Sequence, residues 1–383
     1  MSSSPGSETP FGVLIAGGSV AGLEAGLALR HLLGDRVSLK LLAPGSEFVY
    51  RPLSVREPFS HGSAQRYPLP AIAQDLGADL IQDSLASVDA SRRLVRTESG
   101  AELRYDALML GLGAHVQIRY KHAVTIDDRR MDELLHGLIQ DVEGGYVKRL
   151  AFVMPAPVAW PLPIYELALM TARRAYEMNV GLAITIATPE DAPLAVFGQG
   201  ASAAMADLLA ENQIEVITSA YCEVPQSRVI EISPGERRLE VDRVVALPEL
   251  EGPSVPGLPA GNHGFIPTDA HCQVRDTELV YAAGDATDFP VKFGGIAAQQ
   301  ADTAAQAIAA LAGAQIDPQP FKPEVHGVLL TGEKPRYLHA RITGGQGFSS
   351  ELTDEPTVSP PAKIAAKYLA PYLDERDRTA GRP

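Results

Sequence analysis

The chain has 383 residues, and at roughly 150 residues per domain this length predicts two or three domains with a large buried core, excluding a small fold held by disulfides. Its 33 lysines and arginines against 47 aspartates and glutamates give a net charge of −14, which disfavours binding to the phosphate backbone of nucleic acids. The cysteines, Cys222 and Cys272, form no Cys-x-x-Cys pair and the nine histidines show no metal-ligand spacing, so we predict buried structural thiols, no redox dithiol and no metal site.

The N-terminal region predicts a cytoplasmic protein without a targeting segment. Residues 1–10 are polar, lack the basic segment of a signal peptide and indicate a flexible tail. The apolar run at 11–30 contains several glycines as well as Glu24 and Arg30, whereas a membrane-spanning helix needs about 20 mostly apolar residues without charges. We therefore interpret this run as a buried strand, a turn and a helix.

Strand-like and helical runs then alternate, as in parallel α/β folds. In the first block the predicted elements are strands at 11–16 and 37–43 around a helix at 21–33, short strands within 77–97 and at 102–106, and a buried strand within 105–114. Residues 115–148 contain most of a charged helix. In the second block they are strands at 149–154, 182–187, 215–218 and within 237–247, with helices at 164–178 and 201–211. A Pro/Gly-rich connection at 248–263 and a long Ala-rich helix at 296–312 follow.

The second block repeats the pattern of the first and is predicted to be inserted into it. The expected fold class is α/β, with two Rossmann-like three-layer dinucleotide-binding domains and a small C-terminal α+β region. The predicted boundaries are a tail at 1–10, a first domain at 11–118 and 258–320, an inserted domain at 119–257 and a C-terminal region at 321–383.

The C-terminal region is predicted to contain two strands around a turn at 332–335 and a short helix within 359–373. One face of that helix is expected to be apolar and aromatic, formed by Ile364, Tyr368, Leu369, Tyr372 and Leu373. Such a face usually packs on the parent protein or on a second copy in a homodimer. A weak contact with a membrane surface through 362–373 is the alternative.

A glycine-rich turn between the first strand and the first helix predicts a phosphate-binding loop. The dinucleotide fingerprint places glycine at its first, third and sixth positions, for the tight turn, for the approach of the pyrophosphate and for helix packing. Gly17 and Gly22 fill the first and sixth positions, and Ser19 replaces the third with a side chain that also offers a hydroxyl donor. The amides at the N-terminus of the helix still favour an anion.

The expected ribose ligand is missing from the end of the second strand. That strand ends at Ala43-Pro44, and the first acidic residue after it is Glu47. Dinucleotide folds usually hold the ribose hydroxyls with an acidic residue at this position. Two alternatives stay open, binding by the backbone or binding by Glu47.

Two further segments carry a family resemblance. The run TELVYAAGD at 277–285, followed by Lys292-Phe293-Gly294-Gly295 and a helix, resembles the second flavin signature of the FAD-dependent pyridine nucleotide-disulfide oxidoreductase superfamily. The run YDALMLGLGA at 105–114 is similar to another strand of that family. The resemblance implies non-covalent FAD in the first domain, with Gly284 and Asp285 at the ribityl and phosphate region and Gly113 beside the adenine half.

The segment FVYRPL at 48–53 narrows the resemblance to the type II NADH dehydrogenase and sulfide:quinone reductase-like group. In that group it runs along the flavin, and the stretch at 292–295 lies at the pyrimidine edge, where Lys292 would stabilise negative charge on reduced flavin. A solvated surface charge is the alternative for Lys292. The cofactor-binding residues predicted on this basis are Gly17, Gly18, Ser19, Val20, Ala21, Gly22, Ala43, Arg51, Pro52, Leu85, Gly113, Gly284, Asp285, Phe293, Gly294 and Gly295.

The second block lacks the glycine loop of a nicotinamide site. The stretch at 154–163 contains four prolines and no glycine, which removes four backbone donors where a pyrophosphate would bind. Sulfide:quinone reductases resemble this chain in having a proline-containing loop here, but theirs carries a redox cysteine, whereas this chain has Val158, Ala159 and Trp160. NAD(P)H binding is therefore disfavoured but left open.

Two other residues near this loop are candidates for the site. Trp160 is interpreted either as a wall of the flavin pocket or as ordinary core packing, and Glu166 either as a polar group of the site or, preferably, as an acid on the helix surface.

The sequence thus predicts an FAD-dependent oxidoreductase that moves two electrons from a small-molecule donor to an acceptor such as a quinone, without redox cysteines. The alternatives are an NAD(P)H-dependent quinone or electron-carrier reductase with an atypical nicotinamide site, and an FAD-binding protein with a structural or regulatory role that acts through a partner. A location at the periphery of the membrane is left open.

Overall fold

A computed structural model describes residues 9–60, 62, 64–343, 347–356 and 363–381. Its helices are α1 Val20–Leu33, α2 Leu69–Leu76, α3 Met131–Glu143, α4 Leu162–Glu177, α5 Gln199–Glu211, α6 Gly294–Leu311 and α7 Leu369–Thr379. Short 3-10 segments lie at Gly34–Arg36, Arg51–Phe59, Ala195–Phe197, Asn262–Gly264 and Gly284–Ala286. Within the described ranges, no helix combines the length and the apolar character that crossing a bilayer requires.

Two parallel five-stranded sheets form the framework. The first sheet has the order Val280–Ala282, Ala107–Leu110, Phe11–Ala16, Val37–Leu42, Ala78–Ile81. The second sheet has the order Val124–Thr125, Arg243–Ala246, Arg149–Val153, Ala183–Ala187, Ile214–Ile217. In sequence the second sheet lies between two strands of the first. The predicted α/β class with two Rossmann-like units is confirmed, while the predicted domain boundaries stay a prediction.

Five smaller antiparallel sheets complete the described fold. They are Glu47–Tyr50 with Gln65–Pro68; Leu85–Asp89, Leu94–Thr97 and Glu102–Arg104; His115–Gln117 with Glu249–Glu251; Tyr221–Gln226, Val229–Ser233 and Arg237–Glu240; and Glu324–Leu329, Arg336–Thr343 and Gly347–Thr353. The last of these contains the two strands predicted for the C-terminal region and a third strand that the sequence did not predict.

The central strand of the first sheet, Phe11–Ala16, positions the candidate site. It lies between Ala107–Leu110 and Val37–Leu42. The chain runs from it to Val37–Leu42 on one side, whereas the neighbouring Ala107–Leu110 is followed in this sheet by Val280–Ala282 on the other side, so the strand order reverses between these two strands. Open parallel sheets bind ligands in the crevice at such a point. The helices α1 and α6 pack on this sheet, and their alanine and leucine side chains form one buried cluster with it. The small side chains allow the two helices to approach each other closely.

The C-terminal helix differs from its prediction. It begins at Leu369, after the expected start, and part of the predicted span, 359–362, lies outside the described residues. Ile364, Leu369 and Leu373 are at most 5% exposed, in the core cluster that also contains α1 and α6. The packing interpretation is therefore correct, and a membrane contact through these apolar side chains is not what the structure shows, because the core covers them.

A buried carboxylate anchors this C-terminal segment. Glu24 on α1 accepts hydrogen bonds from the backbone amides of Tyr368 (3.0 Å) and Leu369 (2.6 Å), which α7 cannot satisfy within itself. Burial raises the pKa of Glu24 to about 7, while these amides partly oppose the rise.

We expect this pKa to make stability depend on pH. A carboxyl whose pKa is raised in the folded state binds more protons there than in the unfolded chain. The free energy of unfolding therefore falls as the pH rises from about 4.5 to 7. Glu24→Gln should reduce that fall in urea unfolding curves measured across this range. An exposed-acid control, Glu236→Gln, should keep it, and an equal fall in both variants would exclude Glu24 as the source.

Candidate functional site

The glycine turn after Phe11–Ala16 is built by backbone contact. Gly17 has a φ of +115°, and a Cβ on it would lie 2.1 Å from the carbonyl oxygen of Gly111. A Cβ on Gly22 would lie 1.9 Å from the carbonyl oxygen of Gly17. Side chains cannot occupy such gaps, so both positions require glycine. The turn brings the N-terminal amides of α1 to the carboxyl edge of the first sheet, a geometry suited to an anion.

Ser19 and Gly111 hold this turn against the neighbouring loop. The Ser19 hydroxyl donates a hydrogen bond to the carbonyl oxygen of Gly111 at 2.8 Å, so the donor that the sequence suggested for a phosphate is used within the protein. Gly111 was not among the predicted residues, although a Cβ on it would lie 2.8 Å from the backbone nitrogen of Gly22. The predicted Gly113 has a φ of +74° and would have open space around a Cβ.

The other predicted residues of this half surround the turn. A Cβ on Gly18 would lie 2.8 Å from Leu69 Cδ1 and 3.3 Å from the Ala43 Cβ. Val20 opens α1, Ala21 is buried beneath it, and Leu85 begins a neighbouring strand, half-buried. Glu47 is exposed and its carboxylate lies 3.2 Å from the Arg66 guanidinium. Both alternatives for binding the ribose in the first domain, the backbone and Glu47, therefore remain.

The AGD segment meets the same cleft from the opposite side. Gly284 has a φ of +79°, and a Cβ on it would lie 3.1 Å from the Ala297 Cβ on α6 and 3.5 Å from the Ala21 Cβ on α1. Its N–H donates to the Gln300 side chain at 2.8 Å. Asp285 follows, partly buried, and burial raises the pKa of its carboxyl although Lys292 opposes the rise. The structure thus brings the two flavin-type motifs to one place.

Lys292 is buried beside Asp285 rather than solvated. It is 8% exposed, its ammonium donates a hydrogen bond to the carbonyl oxygen of Thr287, and its Nζ lies 4.0 Å from the centre of the Phe265 ring. Burial lowers the pKa of Lys292 to about 8, and the charges of Asp285 and Asp288 act against that change. The surface-charge alternative for Lys292 is therefore wrong.

A second charged pair faces Asp285. Arg51, in the 3-10 segment that also contains Pro52, lies 3.5 Å from the Asp128 carboxylate. Both side chains are partly open to solvent, with 38% of Arg51 and 49% of Asp128 exposed. Because both groups also act on the Asp285 carboxyl, positive and negative charges alternate around this part of the cleft.

The proline loop packs against the start of α6. The Trp160 ring stacks on Phe293 with the ring centres 4.3 Å apart and 15° between the planes, and Phe197 lies on it at 5.5 Å. The Lys292 N–H donates to the Ala159 carbonyl at 3.1 Å. Trp160 therefore makes core packing contacts, one of them with a residue predicted to contact the flavin, and its role as a wall of the flavin pocket stays a prediction.

The two glycines that open α6 are tightly covered. A Cβ on Gly294 would lie 2.6 Å from Ile364 Cδ1, and a Cβ on Gly295 would lie 2.5 Å from the Phe293 ring. The backbone N–H of Ile364 donates to the Tyr50 hydroxyl at 3.1 Å. The C-terminal segment therefore closes one side of the cleft.

Glu166 is not on the helix surface, contrary to the preferred interpretation of the sequence. It is 1% exposed, and its carboxylate accepts hydrogen bonds from the Lys363 ammonium at 2.8 Å and from the Leu330 N–H at 2.9 Å. Burial raises the pKa of Glu166 and lowers that of Lys363, and each charge opposes the change in the other. The reason for the error is that α4 is covered on its outer side by the C-terminal region.

The carboxyl edge of the second sheet differs from that of the first in its loop and in its acidic residue. Between Arg149–Val153 and α4 lies the glycine-free loop, and Glu190 follows the next strand, at the position of a ribose ligand. Its carboxylate accepts hydrogen bonds from the Tyr165 hydroxyl at 2.8 Å, the Thr188 hydroxyl at 3.1 Å and the Ala195 N–H at 3.1 Å. These hydrogen bonds engage the Glu190 carboxylate within the protein. Glu190 was not among the residues predicted from the sequence.

The two cysteine side chains are buried free thiols. Cys222 and Cys272 are free, at most 5% exposed, and lie in different buried clusters. Burial raises the pKa of each to about 12. A raised pKa disfavours the thiolate, which is the reactive form of cysteine.

A family of known proteins matches part of this chain. The pyridine nucleotide-disulphide oxidoreductase family matches residues 166–311, a span that contains the AGD segment and α6. The predicted resemblance to this superfamily is confirmed. The predictions of an enzyme of the FAD-dependent oxidoreductase type and of FAD as its cofactor are supported by the same match.

Solved structures share the fold of this superfamily. The sulfide:quinone oxidoreductase of Aquifex aeolicus superposes with a TM-score of 0.81 at 18% identity, covering 90% of this chain and 87% of that one. A ferredoxin reductase for the CYP199A2 system from Rhodopseudomonas palustris gives 0.67 at 18% identity, covering 96% and 93%. A NAD-dependent persulfide reductase from A. fulgidus gives 0.62 at 18% identity, covering 87% and 64%.

Proposed function

We propose that this chain is a flavoprotein oxidoreductase that holds FAD non-covalently in the cleft of the first sheet and moves two electrons from a small-molecule donor to an acceptor such as a quinone. The observation that carries the proposal is the meeting of Gly17, Gly22 and Gly284 at the N-termini of α1 and α6. The first two have no room for a Cβ, and Gly284 has a positive φ and a Cβ distance of only 3.1 Å to Ala297. Bound FAD would supply the two-electron chemistry that the side chains themselves lack.

The residues around the cleft have separate proposed roles. The α1 amides bind the pyrophosphate, and Asp285 binds the polar chain between pyrophosphate and ring. Lys292 places a buried positive charge where reduced flavin gains negative charge. Trp160 and Phe293 exclude water from one side of the site.

The donor is proposed to be neither NAD(P)H nor sulfide. Against NAD(P)H stand the glycine-free loop and the internal use of Glu190, which remove both the phosphate and the ribose contacts of a conventional site. Against sulfide chemistry stands the burial of both thiols. A cytoplasmic location, small-molecule donor and acceptor, and no nucleic-acid partner remain part of this proposal.

An anaerobic screen of donors tests this proposal. The purified protein is mixed with NADH, NADPH, sulfide and small thiols, and the flavin absorbance is followed. We expect no bleaching by the first three, and reoxidation by added quinone of the flavin that a small thiol reduces. Rapid bleaching by NADH or NADPH would establish the alternative reductase with an atypical nicotinamide site. Failure of every donor while a partner protein co-purifies would establish the structural or regulatory alternative.

The role of Lys292 gives a prediction for the reduction potential of the bound flavin. Lys292→Met should make it more negative, because a positive charge that stabilises the reduced form is lost. Since the pKa of Lys292 is about 8, the difference from the unsubstituted protein should shrink as the pH rises through that value. Lys292→Arg should retain the potential, and the exposed Lys322→Met is the control. A potential unchanged in Lys292→Met would remove this residue from the site.

A further inference from the structure

A cluster of metal-binding side chains lies on the C-terminal sheet, outside the proposed flavin site. One imidazole or carboxylate atom from each of Glu324, His326 and His339 lies within 4.8 Å of the others. His326 and His339 are directly opposite each other on paired antiparallel strands, and their rings stack with centres 4.5 Å apart. Glu324 is two positions before His326, so its side chain points to the same face of the sheet.

We propose that Glu324, His326 and His339 form a binding site for a divalent transition-metal cation of the zinc class. Two imidazoles and one carboxylate are ligands that zinc accepts, at about 2.0–2.2 Å from the metal. Donor atoms around such an ion lie about 3.3 Å apart, so the three side chains would turn toward one another from their present separation of up to 4.8 Å. A fourth position stays open to solvent or to a small ligand.

The surroundings hold these groups ready. The backbone of Glu324 is fixed to α6 in both directions, because Gln299 donates to its carbonyl at 2.7 Å and accepts from its N–H at 2.9 Å. On the opposite face of the sheet, Val325 and Leu338 are fully buried and lock the strands. The ligands therefore stand on rigid elements, which a metal site needs.

The hydrogen bonds of the cluster leave ligand atoms of Glu324 and His326 available to a cation. Glu324 Oε1 lies 2.9 Å from Arg341 Nε, while its other oxygen lies 3.6 Å from His326 Nε2. Ligating carboxylates commonly have such a second partner. In the described part of the chain, His326 Nδ1 is buried without a hydrogen-bond partner.

Zinc binding by the full-length protein, carrying its flavin and stripped of metal with a chelator, tests the proposal. We expect isothermal titration with ZnCl₂ to give one equivalent per chain. His326→Ala and His339→Ala should each weaken binding by at least about tenfold, and Glu324→Gln should weaken it in the same direction. The matched control is His122→Ala, which removes an exposed histidine away from this sheet.

A second readout separates binding from folding. Zinc should raise the melting temperature of the unsubstituted protein and of His122→Ala, but not of His326→Ala. The melting temperatures without metal show whether each variant is folded. No binding by the unsubstituted protein, or equal zinc affinity in His326→Ala and His122→Ala, overturns the proposal. Since zinc affinity is measured without electron transfer, this outcome is independent of the proposed redox function.

Discussion

Gly22→Ala is expected to yield a protein that has lost most of its FAD. The new methyl group would meet the Gly17 carbonyl oxygen at 1.9 Å, so the turn must move and the amides that face the pyrophosphate move with it. Overpacking of this kind costs about 1–3 kcal/mol, which corresponds to about a five- to 150-fold loss of affinity if it falls on the bound state. Gly111→Ala, with its methyl 2.8 Å from the Gly22 nitrogen, should act in the same direction.

The matched control is Gly137→Ala on the exposed face of α3, where nothing lies within 4 Å of a Cβ. It should retain FAD and gain up to about 1 kcal/mol, because alanine favours helix more than glycine does. A pair of variants at Ser19 that differ in charge keeps the test decisive if Gly22→Ala fails to fold. Ser19→Glu places a carboxylate against the pyrophosphate and should release FAD, whereas Ser19→Ala, which loses only the bond to Gly111, should keep most of it. Unchanged FAD content in Ser19→Glu would show that the phosphates bind elsewhere.

Breaking the buried pair of Glu166 and Lys363 should have the largest effect on stability. Lys363→Met leaves a carboxylate that is 1% exposed without its cation, and removal of one partner of such a pair costs about 3–5 kcal/mol. Because the next residue, Ile364, covers Gly294 at the start of α6, FAD affinity should fall as well. Urea unfolding and FAD titration measure the two effects.

A double variant distinguishes charge from packing. In Glu166→Gln/Lys363→Met the charge is gone and the glutamine carbonyl can still accept from the Leu330 N–H, so most of the stability should return. Arg237→Met, which breaks an exposed pair of similar length with Glu215 (2.8 Å), should cost at most about 1 kcal/mol. Equal costs for Lys363→Met and Arg237→Met would contradict the account of the buried pair.

The sequence was sufficient to predict features that depend on residues close together in the chain. The strand Phe11–Ala16, the glycine turn after it and the start of α6 follow from apolar periodicity and from glycine at fixed positions, and the structure has all three. The proline loop was also recognised, because prolines remove amides wherever they occur. These features were sufficient to predict the fold class and the superfamily resemblance.

Other features depend on contacts between distant parts of the chain. Gly111 needs to be glycine because of Gly22, and Glu166 is buried because Lys363 reaches it from the C-terminal segment. Glu190 was passed over because its engagement by Tyr165 depends on how α4 packs. The Glu324, His326 and His339 cluster has no local spacing, since strand pairing alone brings the histidines together. No periodicity or motif marks such partners.

The central claim, FAD held non-covalently in the cleft of the first sheet, is tested most directly by the flavin content of the purified chain. The account predicts a flavin absorption spectrum, and about one equivalent of FAD per chain released into the supernatant when the protein is denatured with acid. A colourless chain that takes up no added FAD, or a flavin that stays on the denatured protein, would contradict it.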